Sequence, residues 1–130
     1  MRFLSMIRVD ETRGQVPSEQ LMNDMGKLIE EMTREGSLVR TAGLRPTSEG
    51  TRVRLRQGKL SAVDGPFTET KEVIGGYWFI IARSLEEAVA LAAQNPTLAY
   101  GLALEVRPLD SARADVLVAA SETPAQWGIR

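Results

Sequence analysis

The sequence predicts an α+β fold: a ferredoxin-like βαββαβ core with an extra β-hairpin, forming a dimeric α+β barrel. Its length of 130 residues suits one hydrophobic core. Its apolar patterns follow the order strand, helix, two or more strands, helix, strand, which favours an antiparallel sheet with both helices on one face. Two of the strands are apolar on both faces. Because one helix layer covers only one face of a sheet, we expect a second copy to cover the other.

The composition excludes several kinds of chemistry. Sixteen basic and seventeen acidic side chains give a net charge of −1, so no strong field attracts a polyanion, and we expect no nucleic-acid partner. The chain has no cysteine and no histidine. Disulfides, thiolate or imidazole metal sites and a serine–histidine–aspartate relay are therefore excluded, and we expect no metal and no cofactor. No apolar run approaches the roughly 20 residues of a membrane helix, so we expect a cytoplasmic protein without a membrane partner.

The first strand is predicted over residues 2–9, and a second central strand over residues 77–82, which Gly75 and Gly76 are expected to open. Both faces of the first strand are apolar: Phe3, Ile7 and Val9 lie on one face, and Leu4 and Met6 lie on the other.

A first helix is predicted from Ser18 to Glu35. Ser18 is a good N-cap residue, and Gly36 can take the left-handed conformation that ends a helix. The apolar residues recur at the spacing of one helical stripe: Leu21, Met22, Met25, Leu28, Ile29 and Met32.

A hairpin is predicted after a weaker strand at residues 38–44. Its first strand is expected to be half-buried with a basic outer face, since Thr51, Val53 and Leu55 alternate with Arg52, Arg54 and Arg56. Residues 60–63 return as the second strand of the hairpin. The arginines have two interpretations: a solvated face paired with nearby carboxylates, which the alternation alone explains, or an anion-binding groove.

A second helix is predicted to begin at Ser84, because Ser84 and Glu87 match a capping box. Its expected buried stripe is Leu85, Ala88, Val89 and Ala92, and Asn95-Pro96 stops it. Residues 102–107 form the last core strand, which Pro108 ends. We assign residues 1–108 to the domain and residues 109–130 to a C-terminal extension, which is an edge strand, an arm on the second subunit or a disordered tail.

One motif is distinctive. The stretch Val63-Asp64-Gly65-Pro66-Phe67-Thr68-Glu69-Thr70-Lys71-Glu72, followed by Gly75-Gly76-Tyr77, resembles the signature of the YCII-related, or DGPF-domain, family. Residues 54–59 and 105–108 add to the resemblance. It implies the dimeric α+β barrel, a bacterial protein often encoded beside a sigma factor, and no assigned reaction for most members. Relatives in the wider superfamily resemble enzymes of small cyclic or chlorinated aromatic metabolites with a histidine–aspartate pair. Asp64 maps onto the aspartate, and the histidine is absent.

The motif has a structural and a functional interpretation. In the structural one, Asp64 accepts a hydrogen bond from an amide two residues on, Gly65 and Pro66 shape a turn, and Phe67 plugs into the core. In the functional one, partial burial of Asp64 raises its pKa and makes it an acid or base in a small-molecule pocket. The residues expected to bind the ligand there are Gly65, Pro66, Phe67, Glu69, Lys71 and Tyr77, although aromatic residues at strand spacing more commonly pack in a core.

Two functions remain open from the sequence. The first is binding of a small molecule in a dimer-associated cleft, in a regulatory role linked to a sigma factor. Its ligand would be an apolar anion held near Arg8, Arg54 or Lys71. The second is an enzyme of isomerase or lyase type that acts on small cyclic or aromatic metabolites, with Asp64 as acid or base.

Overall fold

The computed structural model describes residues 1–14 and 16–110. Its main strands and helices are β1 (Arg2–Val9), α1 (Glu19–Glu35), β2 (Leu38–Gly43), β3 (Thr51–Arg56), β4 (Lys59–Asp64), β5 (Val73–Ile81), α2 (Leu85–Ala92) and β6 (Ala103–Pro108). Short 3₁₀ helices cover Glu11–Arg13, Thr47–Glu49 and Pro96–Tyr100. Within the described ranges, neither α-helix is long and apolar enough to cross a membrane. Residues 111–130, most of the predicted C-terminal extension, lie outside them.

The four core strands form one antiparallel sheet in the order β2-β5-β1-β6. The first and third core strands, β1 and β5, are therefore central, as in a ferredoxin-like fold. The β3–β4 hairpin is inserted between β2 and β5 and forms a separate two-stranded sheet. This architecture confirms the predicted α+β fold with an extra hairpin.

The core lies between the four-stranded sheet and the helices. Because side chains alternate across a strand, Phe3 and Ile7 of β1 point towards the helices together with Trp78 and Ile80 of β5. Met32 of α1 packs onto them. Trp78 is thus a buried core residue, which is the commoner outcome for an aromatic side chain in a strand.

Helix α1 begins and ends where the sequence predicts. The Ser18 hydroxyl accepts a hydrogen bond from the Leu21 amide at 3.0 Å, and Gly36 adopts a left-handed φ of 80°. The predicted stripe faces the core except for Met22, which is exposed. Local capping chemistry therefore fixes both ends of this helix.

Helix α2 shows its predicted cap but not its predicted stripe. The Ser84 hydroxyl accepts from the Glu87 amide at 3.1 Å, whereas the Glu87 carboxylate accepts from the Arg83 amide, one residue before the expected partner. Leu85 and Val89 are 49% and 50% exposed, so the prediction that they are buried is wrong. Ala88 and Ala92 of the predicted stripe are buried or half-buried, and Leu91 joins them in a helix that contacts β6 and β1.

The face of the sheet turned away from the helices, here called the open face, keeps an apolar centre. In register, Leu4 lies opposite Phe79 and Met6 opposite Tyr77. Polar groups flank this centre, including Arg8 and Glu105, which form an ion pair at 2.9 Å. The described elements thus cover one face of the two central strands and leave the other without a helix layer.

Strand β5 begins at Val73, earlier than predicted, so Gly75 and Gly76 lie within it. Gly76 pairs with Ile7 and Ile74 with Arg8, which leaves Gly75 as the extra residue of a bulge. A Cβ on Gly75 would lie 2.8 Å from Cγ1 of Val9. The two glycines therefore permit a close approach of strands rather than start one.

The β3–β4 hairpin, here called the arm, does not pack on the core. Val53, Leu55 and Leu60 share one face and are 64%, 68% and 74% exposed. The expectation of a half-buried strand is therefore wrong, because alternation shows that a strand has an apolar face but not that anything covers it. The other face carries Arg52, Arg54, Arg56 and Lys59.

Candidate functional site

A cleft of about 580 Å³ opens beyond the C-terminal end of β1. Chain segments that are distant in sequence form it: the end of β1 with the following 3₁₀ helix, the start of α1, the loop after β2, the start of β5 and the segment before β6. Its lining residues are Val9, Asp10, Glu11, Gly14, Val16, Pro17, Leu21, Leu44, Arg45, Pro46, Ile74, Gly75, Tyr100 and Leu102. Most of these are apolar, and the volume lies in the range typical of small-molecule sites.

The polar groups of the cleft are held by neighbours. Both oxygens of the Glu11 carboxylate accept from Thr47, from its amide at 2.7 Å and from its hydroxyl at 2.5 Å. Arg45 donates to Glu49 at 2.8 Å, which raises the pKa of Arg45. The Tyr100 hydroxyl lies 2.8 Å from that of Ser18, the cap of α1. These contacts tie the cleft walls to structural elements.

A second, charged recess of about 200 Å³ adjoins the cleft, and the two share Asp10 and Leu102. The recess is lined by three cationic side chains, two carboxylates and two small or apolar residues: Arg8, Arg13, Lys71, Asp10, Glu72, Gly101 and Leu102. An apolar cleft and a charged recess therefore meet at one aspartate.

The Asp10 carboxylate is stabilised in its charged form. Hydrogen bonds from the Thr12 hydroxyl and amide lower the pKa of Asp10, and Arg13 and Lys71 add to the effect. The Arg13 Nε lies 3.9 Å from Asp10 Oδ2. Asp10 is thus an anion at neutral pH, which makes it a hydrogen-bond acceptor rather than an acid.

Two donors of the recess are left over. The Nε of Arg8 is buried and has no hydrogen-bond partner among the described residues, although Nη1 of Arg8 pairs with Glu105. Lys71 forms no ion pair with any residue that the structure describes. The exposed Lys71 therefore gives the recess capacity for an acceptor group, whereas the buried Nε of Arg8 is not open to a ligand.

The residues predicted from the motif gather at the base of the arm. Asp64 is exposed, and its Oδ1 accepts from the Thr51 hydroxyl at 2.8 Å, across the hairpin. The expected bond to an amide two residues on is wrong, since that residue is Pro66, which has no N–H. The Gly65–Pro66 peptide bond is cis. Gly65 itself packs directly against the carbonyl group of Thr47.

Phe67 lies beneath the Arg52 guanidinium, 4.0 Å from the ring centroid, rather than in the core as expected. Glu69 pairs with the same arginine. A hydrogen bond from the backbone of Glu69 itself lowers the pKa of this carboxyl, and the charge of Arg52 lowers it further. The arginine is thus paired with a carboxylate, as one of the two interpretations of the basic strand predicts. It is also shared between the arm and the loop that follows it.

The remaining predicted residues lie elsewhere. Lys71 lines the charged recess, and Tyr77 lies on the open face opposite Met6. The residues that line the cleft and the recess do not include Asp64, Gly65, Pro66, Phe67 or Glu69. The assignments of Asp64 to catalysis and of the others to ligand binding stay predictions.

Sequence reasoning did not find Asp10, Glu11, Arg13, Arg45 and Tyr100. The first two could have been suspected, because they are adjacent carboxylates directly after a central strand, where side chains reach the edge of a sheet. The others carry no local signal. Within residues 1–14 and 16–110, no group of three acidic side chains is arranged to hold a metal ion.

The fold and the site define a class: a ferredoxin-like α+β protein with an inserted hairpin arm and a cleft at one end of its sheet. Within that class the chain belongs to the YCII-related family, because the model of the YCII-related domain matches residues 1–110. An uncharacterised protein of Rhizobium meliloti (strain 1021), R00369, is 35% identical over 95 residues, which make up 70% of this chain and 74% of that protein. The resemblance seen in the motif is thereby confirmed.

Proposed function

We propose that the protein is a homodimer that binds a small apolar anion in the cleft and the adjoining recess. The observation that carries this proposal is the junction at Asp10 and Leu102 between an apolar cleft of about 580 Å³ and a recess with three cationic side chains. An apolar body would fill the cleft, and its acidic group would enter the recess.

The charges of the recess favour an anion over a cation. Of its three cationic groups, Arg8 pairs with Glu105 and Arg13 lies 3.9 Å from Asp10, which leaves Lys71 without an ion-pair partner among the described residues. The ammonium group of Lys71 and the buried Nε of Arg8 lack partners among the described residues. An anion in the recess would supply an acceptor to Lys71, whereas the Nε of Arg8 has almost no accessible surface through which a ligand could reach it.

The homodimer is supported by the open face. Leu4, Met6, Tyr77 and Phe79 form an apolar centre that soluble proteins rarely leave in water. Arg8 lies at the margin of this face and also lines the recess. A second copy packed on the open face would therefore border the recess, so the ligand would bind beside the dimer interface.

The test uses a fluorescent apolar anion, 1-anilinonaphthalene-8-sulfonate, and its neutral analogue N-phenyl-1-naphthylamine. We expect the anion to bind and to raise the melting temperature, since a ligand of the native state stabilises it. Lys71→Gln should weaken binding of the anion about tenfold, the effect of losing one charged contact, and leave the neutral probe unaffected. Lys27→Gln, on the exposed side of α1, is the control. Equal affinity of Lys71→Gln and the unaltered protein for the anion would refute the assignment.

A regulatory role linked to a sigma factor and a cytoplasmic location belong to the same proposal. The first is supported by the family resemblance alone. The second is supported by the complete absence of cysteine, which suits a reducing compartment.

The alternative is an enzyme of isomerase or lyase type for small cyclic or aromatic metabolites. Asp64 is exposed, so the partial burial expected of this acid or base is wrong. The support that remains is that Thr51 donates to Oδ1 and leaves Oδ2 of Asp64 without a hydrogen-bond partner among the described residues. Asp64→Asn keeps the acceptor for Thr51 and removes the acid–base function. Turnover of any substrate found among small lactones and aromatic carboxylates should then be lost, and full turnover by this variant would remove Asp64 from the chemistry.

A further inference from the structure

We propose that the turn at Asp64–Phe67 positions the wall of the cleft, acting through Thr47 on the carboxylate of Glu11, and thereby sets the preference of the cleft for anions. The preference for anions rests on the function proposed above, whereas the positioning rests on contacts within the chain. Neither Asp64 nor its neighbours in the turn line the cleft, so the effect is indirect.

The first contact joins the cleft to the loop after β2. Glu11 lines the cleft, and both of its carboxylate oxygens accept from Thr47, a residue 36 positions later. The three residues directly before the 3₁₀ helix that begins at Thr47, residues 44–46, also line the cleft. Thr47 therefore binds the Glu11 carboxylate and directly follows the wall that residues 44–46 form.

The second contact joins that loop to the turn. The Phe67 amide donates to the Thr47 hydroxyl at 3.2 Å. A Cβ built on Gly65 would overlap the carbonyl oxygen of Thr47 and lie 2.6 Å from its carbonyl carbon. Glycine is required here by this close approach, because any side chain would have to displace backbone. The turn thus contacts Thr47 at its carbonyl group and at the hydroxyl that also binds Glu11.

The arrangement has an electrostatic consequence. With both oxygens hydrogen-bonded to Thr47, the negatively charged Glu11 carboxylate is stabilised and held at the wall. A displaced Thr47 would free this carboxylate to face the cleft, next to the anionic Asp10. A second carboxylate that is free to turn into the cleft repels an anionic ligand and leaves a neutral one unaffected. The turn therefore acts on selectivity through the position of Glu11.

The positioning is tested without a ligand, by amide hydrogen exchange. Gly65→Ala should speed exchange of the Thr47 and Phe67 amides at least tenfold while the amides of α1 exchange as before. Gly50→Ala is a matched control in the same loop, because a Cβ there would meet the Thr47 carbonyl oxygen at an ordinary 3.5 Å. Unchanged exchange at Thr47 in Gly65→Ala would overturn the proposal.

Selectivity is tested with the two naphthalene probes. Thr47→Val removes the hydroxyl that binds Glu11, and we expect it to weaken binding of the anionic probe about tenfold and to leave the neutral probe unchanged. Thr47→Ser keeps the hydroxyl and should restore the anionic probe. This pair carries the test if Gly65→Ala does not fold. Equal weakening of both probes, or no rescue by serine, would overturn the selectivity role. If neither probe binds the unaltered protein, the proposed function fails, and hydrogen exchange alone decides the positioning.

Discussion

Phe79→Ala should dissociate the proposed homodimer, because Phe79 occupies the centre of the open face. It lies opposite Leu4 on one side and Arg40 on the other, with Tyr77 and Ile81 next to it along β5. Burying a phenylalanine side chain contributes about 1.5–3 kcal/mol. In a twofold interface both copies lose this contribution, which gives about 3–6 kcal/mol in total. Phe79 is already half-buried in one chain, so the expected loss of dimer stability is about 3 kcal/mol. The dimer dissociation constant should rise at least about 100-fold.

Sedimentation velocity over a concentration series measures this constant directly. Met22→Ala is the control, because Met22 is an exposed apolar residue of α1, on the helix side of the sheet. It should leave the dimer unchanged. A monomer at every concentration of the unaltered protein, or the same dissociation constant for Phe79→Ala, would refute the reasoning from the open face. Circular dichroism of the variant establishes that the loss is one of association rather than of folding.

Two further predictions concern stability. Gly26→Ala should stabilise α1 by about 1 kcal/mol, because an added Cβ meets nothing within 4 Å and alanine favours the helix, whereas Gly75→Ala should cost about 1–3 kcal/mol through overlap with Val9. Urea unfolding of both variants measures the difference, and a shared sign would contradict the packing described. Arg83→Ala should raise the pKa of Glu87, because the variant removes the side-chain hydrogen bond from Arg83 that lowers it most and keeps only the backbone one. A lowered carboxyl pKa contributes stability above the pKa of the unfolded chain and loses it as the pH falls through the folded value, so this variant should be less stable than the unaltered protein at neutral pH and equal to it in strong acid. Carbon-13 NMR titration of the carboxyl checks this, and an unchanged curve would count against the contact.

Local chemistry predicted the elements better than their surroundings. Ser18 and Gly36 determine the ends of α1 through their own hydrogen bonding and backbone conformation, so the sequence alone suffices. The alternation at Val53 and Leu55 correctly indicated a strand, but burial depends on whether another element reaches that face. No such element does so among the described residues. Burial is a property of the tertiary arrangement, and a periodic pattern does not contain it.

The cleft shows the same limit more strongly. Its walls come from residues 9–11, 14, 16–17, 21, 44–46, 74–75, 100 and 102, so no single stretch of sequence contains it. The motif at residues 64–67 is recognisable in the sequence because its residue types are locally unusual. Its Phe67 amide nevertheless bonds to Thr47, and nothing in the sequence around Thr47 predicts that contact. Lys71 was selected as a ligand-binding residue and does line the charged recess. A sequence shows which residues are unusual, and the fold decides which of them meet.

The arm also bears on how the protein behaves when crowded. Among residues 1–14 and 16–110 its two strands pair only with each other, so within this part of the chain the outer backbone edge of each is open to a strand of another molecule. Arg54, Arg56 and Lys59 point from one side of this ribbon, and like charges on approaching copies repel each other. Salt shortens the range of that repulsion to about 3 Å at 1 M. This repulsion opposes pairing of arm strands from different molecules. Concentrated protein should therefore self-assemble more readily as the ionic strength rises.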